Sequence, residues 1–198
     1  PTLAIILVGN NPQSVSYVKQ KELKGKKIGI KVDVLNLESG IKNHKLLKTI
    51  EQLNNDNNVN GIIIQRPLPP QIDSEKIDNA VVPSKDVDGF NPKSKFNPPL
   101  GVAILTLLES VDLDFKSKRI VVIGKGATGG GPVIKTFRKL GINFDVIDRL
   151  THNSSFIIHN SDIVISAVGK PNIIKPEMIK KNVILISIGL SKEDDGKL

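Results

Sequence analysis

Leu3 to Val8 is apolar without a break, short and mainly apolar segments return at Gly61–Gln65, Arg119–Ile123, Asp162–Gly169 and Val183–Ile188, and Phe144–Asp148, interrupted by Asp145, reads as another strand. Unbroken apolar runs of this length suit strands of a parallel sheet buried on both faces. Val32 to Leu37 alternates and reads as a further strand. Between these runs the spacing turns helical. A helix is predicted from Ser14, its N-cap, with Gly25 and Gly29 as stops. Apolar residues at 41, 46, 47, 50 and 53 predict a second helix, and Ile72 to Ala80 a short third. Gly101 to Val111 is a strongly apolar helix, another pattern follows residue 130 through Leu140, and a helix is expected between the last two strands. Pro67, Pro69 and Pro70 stop the run that begins at Gly61, which fixes Gln65 at the carboxyl end of its strand. The predicted class is α/β with two α/β domains, 1–98 and 99–198. The boundary falls in the polar, proline-bearing segment 91–99. The second domain is expected to be a Rossmann-type doubly wound parallel sheet, with a cleft between the two.

Composition changes this picture in few ways. The chain has 198 residues, 39% hydrophobic but only 4% aromatic, so its cores are built from Ile, Leu and Val. Without cysteine there is no disulfide, thiolate metal site or cysteine nucleophile, as suits a reducing cytoplasm. No apolar run approaches the roughly 20 residues a membrane helix needs, so no membrane partner is expected. The net charge of +8 raises nucleic acid as a partner, but the lysines are scattered and no aromatic residues interleave with them as stacking platforms. No nucleic-acid partner is therefore expected. Pro1 is no initiator, and the chain stops just after Asp194-Asp195-Gly196-Lys197, so both ends read as cut.

Candidate chemistry gathers at two strand ends. Tyr17 and Lys21 are four apart and share a helix face, with Ser14 and Gln65 expected on the same side of the sheet. Taken alone, Lys21 among Lys19, Lys24, Lys26 and Lys27 is a solvated face, and the single tyrosine is packing. In the second half, Gly124-Lys125-Gly126-Ala127-Thr128-Gly129 follows a strand and precedes a helix, as a dinucleotide fingerprint requires. Asp148 stands at about the offset of a ribose ligand, roughly 20 residues on. The bland reading of the same loop is a tight connection. Asp86 and Asp88 in Lys85-Asp-Val-Asp-Gly-Phe90 have no further carboxylates to complete a cation cage, and the three histidines lack ligand spacing, so no metal is expected.

Together these motifs resemble the bifunctional methylenetetrahydrofolate dehydrogenase/methenyltetrahydrofolate cyclohydrolase family over nearly the whole chain. The resemblance rests on Leu-Val-Gly at 7–9 with Ser14, Tyr17 and Lys21, and on Gln65 with Pro67-Leu-Pro69. It continues through Lys85–Phe90, Pro99-Leu-Gly101, the 124–132 loop, Ala167-Val-Gly169-Lys-Pro171 and Gly196-Lys-Leu. It implies oxidation of 5,10-methylenetetrahydrofolate by a nicotinamide cofactor, then hydrolysis of the methenyl cation to 10-formyltetrahydrofolate. By resemblance Lys21 is the catalytic lysine, Gln65 its hydrogen-bond partner and Tyr17 the ring that packs against the folate. Asp88 anchors the pterin and Ser14 is a polar neighbour. Gly124, Lys125, Gly126, Thr128, Gly129, Arg149, Ala167 and Gly169 bind the cofactor. The sequence departs from the family's G-R-S-x-x-V-G-x-P loop, since Lys125 replaces the arginine and Gly126 the serine, and Asp148-Arg149 stands where His-Ser is frequent. Lys125 and Arg149 favour the 2′-phosphate of NADP, whereas Asp148 favours NAD. Arg66, beside Gln65, is expected to help depress the lysine's pKa. The family's N-terminal helix and its last glycine- and proline-rich stretch are absent from these 198 residues and the segment between Asn91 and Pro99 is shorter than usual, so the sequence reads either as a fragment of a longer protein or as a reduced relative. A homodimer through the cofactor domain is expected. Two other functions compete: another nicotinamide-dependent oxidoreductase, and a non-catalytic basic nucleic-acid-binding or regulatory protein on the same scaffold.

Overall fold

The computed structural model describes residues 1–111 and 114–188, which fall into two compact units divided between Asn97 and Pro98. In the first unit, strand β1 (Thr2–Val8) lies between β2 (Lys31–Leu37) and β3 (Gly61–Ile64), all parallel. Its pleat explains the unbroken apolar run. Ala4, Ile6 and Val8 pack with Leu46 and Ile50 of helix α2 (Asn43–Asn55) and Ile77 of α3 (Ser74–Ala80), while Ile5 and Leu7 pack with Val18 of α1 (Pro12–Lys27).

Two expectations about α1 are corrected. Asn11, not Ser14, is the N-cap: its side-chain oxygen accepts from the backbone N–H of Gln13 and Ser14. Pro12 at the first turn needs no N–H partner, which lets the helix open two residues before Ser14. The helix also runs through Gly25. That glycine is buried and a Cβ on it would meet Val32 at 2.5 Å, so its smallness serves packing against β2. The stop comes at Ile28, before Gly29 with φ +73°.

The second unit carries a four-stranded parallel sheet in the order β5 (Asp145–Ile147), β4 (Ile120–Ile123), β6 (Ile163–Ser166), β7 (Ile184–Ser187). Ile120, Val122, Ile163 and Ile165 face α4 (Pro99–Glu109) and α5 (Gly130–Lys139). Val121, Ile123 and Val164 face Ile158 of α6 (Ser154–Asn160). Both faces are thus covered, as doubly wound sheets require. The expected helix between β6 and β7 is only a 3-10 turn at Pro176–Met178. Pro171, Pro176 and the left-handed Asn172 (φ +57°) interrupt that crossover before an α-helix can propagate. The Gly196-Lys197-Leu198 motif lies outside the described residues.

Candidate active site

On the first unit, Ser14, Val18 and Gly25 form the buried stripe of α1, and Lys21 continues it half-buried. Lys21 Nζ donates to Gln65 Oε1 at 2.8 Å. Gln65 follows the last residue of β3 and is itself buried, 8% exposed. Its amide nitrogen donates to the Arg66 carbonyl at 2.9 Å, and because a carbonyl only accepts, this contact fixes which end of the amide faces Lys21. Ser14 Oγ donates to the same carbonyl at 3.1 Å. One backbone oxygen therefore ties α1 to the end of β3. Burial lowers the Lys21 pKa from its ordinary value, and the negative charge of Asp88 opposes the shift. Asp88 moves the other way. Its own burial raises its pKa, Lys21 lowers it, Asp86 raises it and Arg66 lowers it.

Arg66 does not act as expected. Its guanidinium forms an ion pair with Asp78, donates to Ser74 Oγ at 3.0 Å and lies 5.1 Å from the centroid of the Phe90 ring. The lowering of Lys21 comes from desolvation instead. Tyr17 shares the Lys21 face of α1 and is 52% exposed, which leaves its ring open to solvent. In the 85–90 turn, Asp86 accepts the Asn91 N–H at 2.7 Å. Lys85 Nζ donates to the carbonyls of Leu53, Asn54 and Asp56 at 2.7–3.0 Å and so satisfies the end of α2. The turn thus folds back on α2 and carries Asp88 toward Lys21.

On the second unit, a cavity of about 830 Å³ opens beyond β4, β5 and β6. Gly124, Lys125, Gly126, Arg149, Ala167 and Gly169 line it, while Thr128 and Gly129 do not. Gly124 takes φ +90°, and a Cβ on Gly130 would stand 1.8 Å from the Gly124 carbonyl oxygen. Only a glycine lets α5 start that close to the strand end, which is the cradle a pyrophosphate requires. Cavity size, position and three cationic side chains (Lys125, Arg149, Lys170) fit a dinucleotide. Lys125 Nζ lies 2.6 Å from Asp148 Oδ2. That contact, with hydrogen bonds from the Leu150 N–H and the Thr151 hydroxyl, holds the Asp148 carboxyl at about 2.

Residues 1–88 match the family model of the tetrahydrofolate dehydrogenase/cyclohydrolase catalytic domain, and residues 98–198 match that of its NAD(P)-binding domain. The chain belongs to the tetrahydrofolate dehydrogenase/cyclohydrolase family. It is 36% identical to the bifunctional protein FolD of Staphylococcus carnosus, over all of this chain and 73% of that protein. FolD of Helicobacter pylori is also 36% identical, over 71% of its length. Among solved structures, the FolD dehydrogenase/cyclohydrolase of Campylobacter jejuni superposes with a TM-score of 0.91 at 34% identity, covering 99% of this chain and 73% of that one. The Trypanosoma brucei enzyme, solved with NADP and an inhibitor, gives 0.87 at 26% identity over all of this chain and 71% of that one.

With the tetrahydrofolate dehydrogenase/cyclohydrolase family established, the α/β class and the enzyme reading stand. Sequence reasoning overlooked Asn11 as the cap that sets the start of α1, although Asn followed by Pro is a legible signal. Within the stretches it quoted it did not single out Gly130, one residue past the fingerprint's third glycine, or Lys170, and it overlooked Ile173 in the cavity wall. The pairing of Lys125 with Asp148 had no sequence signal, because the two lie on different loops.

Proposed function

We propose that this chain oxidises 5,10-methylenetetrahydrofolate with NADP and hydrolyses the methenyl product to 10-formyltetrahydrofolate, using residues 1–98 for the folate and catalysis and 99–198 for the cofactor. The observation that carries the assignment of roles is the Lys21 Nζ to Gln65 Oε1 contact beside Asp88, in a chain of this family. NADP, which the residues lining the cavity of the second unit would hold, would supply the acceptor for a hydride from the methylene carbon. The rest falls to the chain's own groups. Lys21, with its amine disfavoured as a cation by burial, takes a proton from the water that attacks the methenyl carbon. A ring C–N bond then breaks, the leaving nitrogen is protonated, and one proton in total is released. Gln65 holds the amine in place through an amide whose orientation is set by the Arg66 carbonyl. Asp88 holds the pterin, Tyr17 stacks on the folate and Ser14 keeps α1 on the Arg66 carbonyl.

Gly124, Gly126, Thr128 and Gly129 carry the backbone of the dinucleotide loop, Ala167 and Gly169 wall the cavity, and Arg149 and Lys125 supply charge for a 2′-phosphate. What supports NADP over NAD is this pair of cations, together with the engagement of Asp148 by Lys125. The solved relative from Trypanosoma brucei holds NADP. We further take the chain to work in the cytoplasm as a homodimer on a free folate, without nucleic acid or membrane. Dehydrogenase turnover with methylenetetrahydrofolate, offered NADP in one cell and NAD in the other, tests the reading. Turnover preferring NADP is expected. Absence of turnover with both, from a folded full-length protein, refutes it.

A further inference from the structure

Among the described residues that line the cavity of the second unit there is one carboxylate, Asp148, just past the end of β5. In dinucleotide folds a carboxylate there accepts the ribose hydroxyls of NAD and opposes a 2′-phosphate. Here the group is already engaged. Lys125 Nζ lies 2.6 Å from Oδ2, while Oδ1 accepts the Leu150 N–H at 2.9 Å and the Thr151 hydroxyl at 3.1 Å. Lys125 reaches it from the loop between β4 and α5, the loop that faces the pyrophosphate in such folds. The Lys125 side chain is 65% exposed, so the pair is a surface one and holds loosely enough to share its ammonium with an incoming phosphate.

We propose that Lys125 sets cofactor choice by covering Asp148: its ammonium neutralises the carboxylate that would select NAD and adds a charge, beside Arg149, for the 2′-phosphate of NADP. The inference rests on the dinucleotide-binding reading above. Lys125 here is more than a substitute for a phosphate-binding arginine, since it also silences the neighbouring acid. Removing it both subtracts a cation and releases an anion, so the two cofactors respond in opposite directions. A lysine that served only as a general cation would weaken both.

The test is direct titration of the full chain with NADPH and with NADH, read by nicotinamide fluorescence in a protein that has no tryptophan. The parent, Lys125→Ala, Asp148→Asn and the double variant are compared. Lys125→Ala is expected to weaken NADPH by about tenfold or more, equal to about 1.4 kcal/mol, and to tighten NADH. Adding Asp148→Asn to Lys125→Ala is expected to recover part of the NADPH affinity and erase the NADH gain. Equal weakening of both cofactors by Lys125→Ala overturns the proposal, as does a double variant no better for NADPH than Lys125→Ala alone. A folded parent that binds neither dinucleotide is a different result: it removes the dinucleotide reading itself, and this inference with it.

Discussion

Replacing Gly130 with alanine asks whether the start of α5 must touch the end of β4. A methyl group there stands 1.8 Å from the Gly124 carbonyl oxygen, where real contacts stop near 3.0 Å, so the two backbones must separate by about 1.2 Å (3.0 − 1.8). Neither side yields easily. All four residues of β4 are buried, the Gly124 N–H donates to the Ile147 carbonyl at 2.8 Å, and α5 buries Val133, Ile134 and Phe137. Overpacking of this kind costs about 1–3 kcal/mol of stability. A shift near 1 Å in a positioning element costs about 10²-fold in rate. Gly130→Ala is therefore expected to lower NADP-dependent oxidation by about two orders of magnitude, while hydrolysis of pre-formed methenyltetrahydrofolate, which takes no dinucleotide, persists. Circular dichroism melts separate misfolding from misplacement. Parent-level oxidation by a folded Gly130→Ala protein would refute the reasoning that close approach at this glycine builds the cofactor site.

Three further outcomes follow from the same geometry. Lys85→Met strips three charge-assisted hydrogen bonds from the end of α2 and is expected to cost about 2–3 kcal/mol, read by urea denaturation with far-UV dichroism and with the emission of Tyr17, the chain's single tyrosine. A change below about 0.5 kcal/mol would count against the capping role. Asp78→Asn leaves the Arg66 guanidinium, 8% exposed, without its counter-ion and is expected to cost about 3 kcal/mol, the low end for a broken buried pair because Asp78 is 22% exposed. Lys21→Met works in the opposite direction. The folded pKa of Lys21 lies below 10.5, so the unfolded chain binds more protons between the two values and stability rises with pH through that window. The penalty is fully present below the folded pKa, so Lys21→Met should be more stable than the parent near neutral pH and gain less on approaching pH 10.5. A less stable variant at neutral pH would contradict the burial account.

Strands β1, β3 and β4 were legible because their residues are buried on both faces. Leu3–Val8 carries no polar side chain, Gly61–Gln65 and Arg119–Ile123 carry them only at their ends, Gln65 and Arg119, and each lies within one or two residues of its strand. Helix ends were less legible. Ser14 looked like a cap because serine favours that position, but Asn11 with Pro12 behind it made the stronger start. Gly25 looked like a stop, yet the space beside Val32, set by tertiary packing, is what uses it. The helix expected between β6 and β7 was lost to prolines and a left-handed asparagine. At the candidate site, strand position fixed Gln65 and helical periodicity aligned Lys21 with Tyr17. The direction of the Arg66 side chain depends on Asp78, Ser74 and Phe90, which are distant from it in sequence, so no local pattern revealed it. The same holds for Lys125 and Asp148.

In the proposed reaction the half-buried Lys21 amine carries the proton work of hydrolysis. The most direct test follows the disappearance of 5,10-methenyltetrahydrofolate by its near-ultraviolet absorbance, with the full-length parent and with Lys21→Ala, across a range of pH. Hydrolysis by the parent is expected to rise with pH through an ionisation below 10.5, and a folded Lys21→Ala protein is expected to be no faster than buffer. A folded Lys21→Ala protein that hydrolyses the cation as fast as the parent, with the same pH profile, would contradict this role.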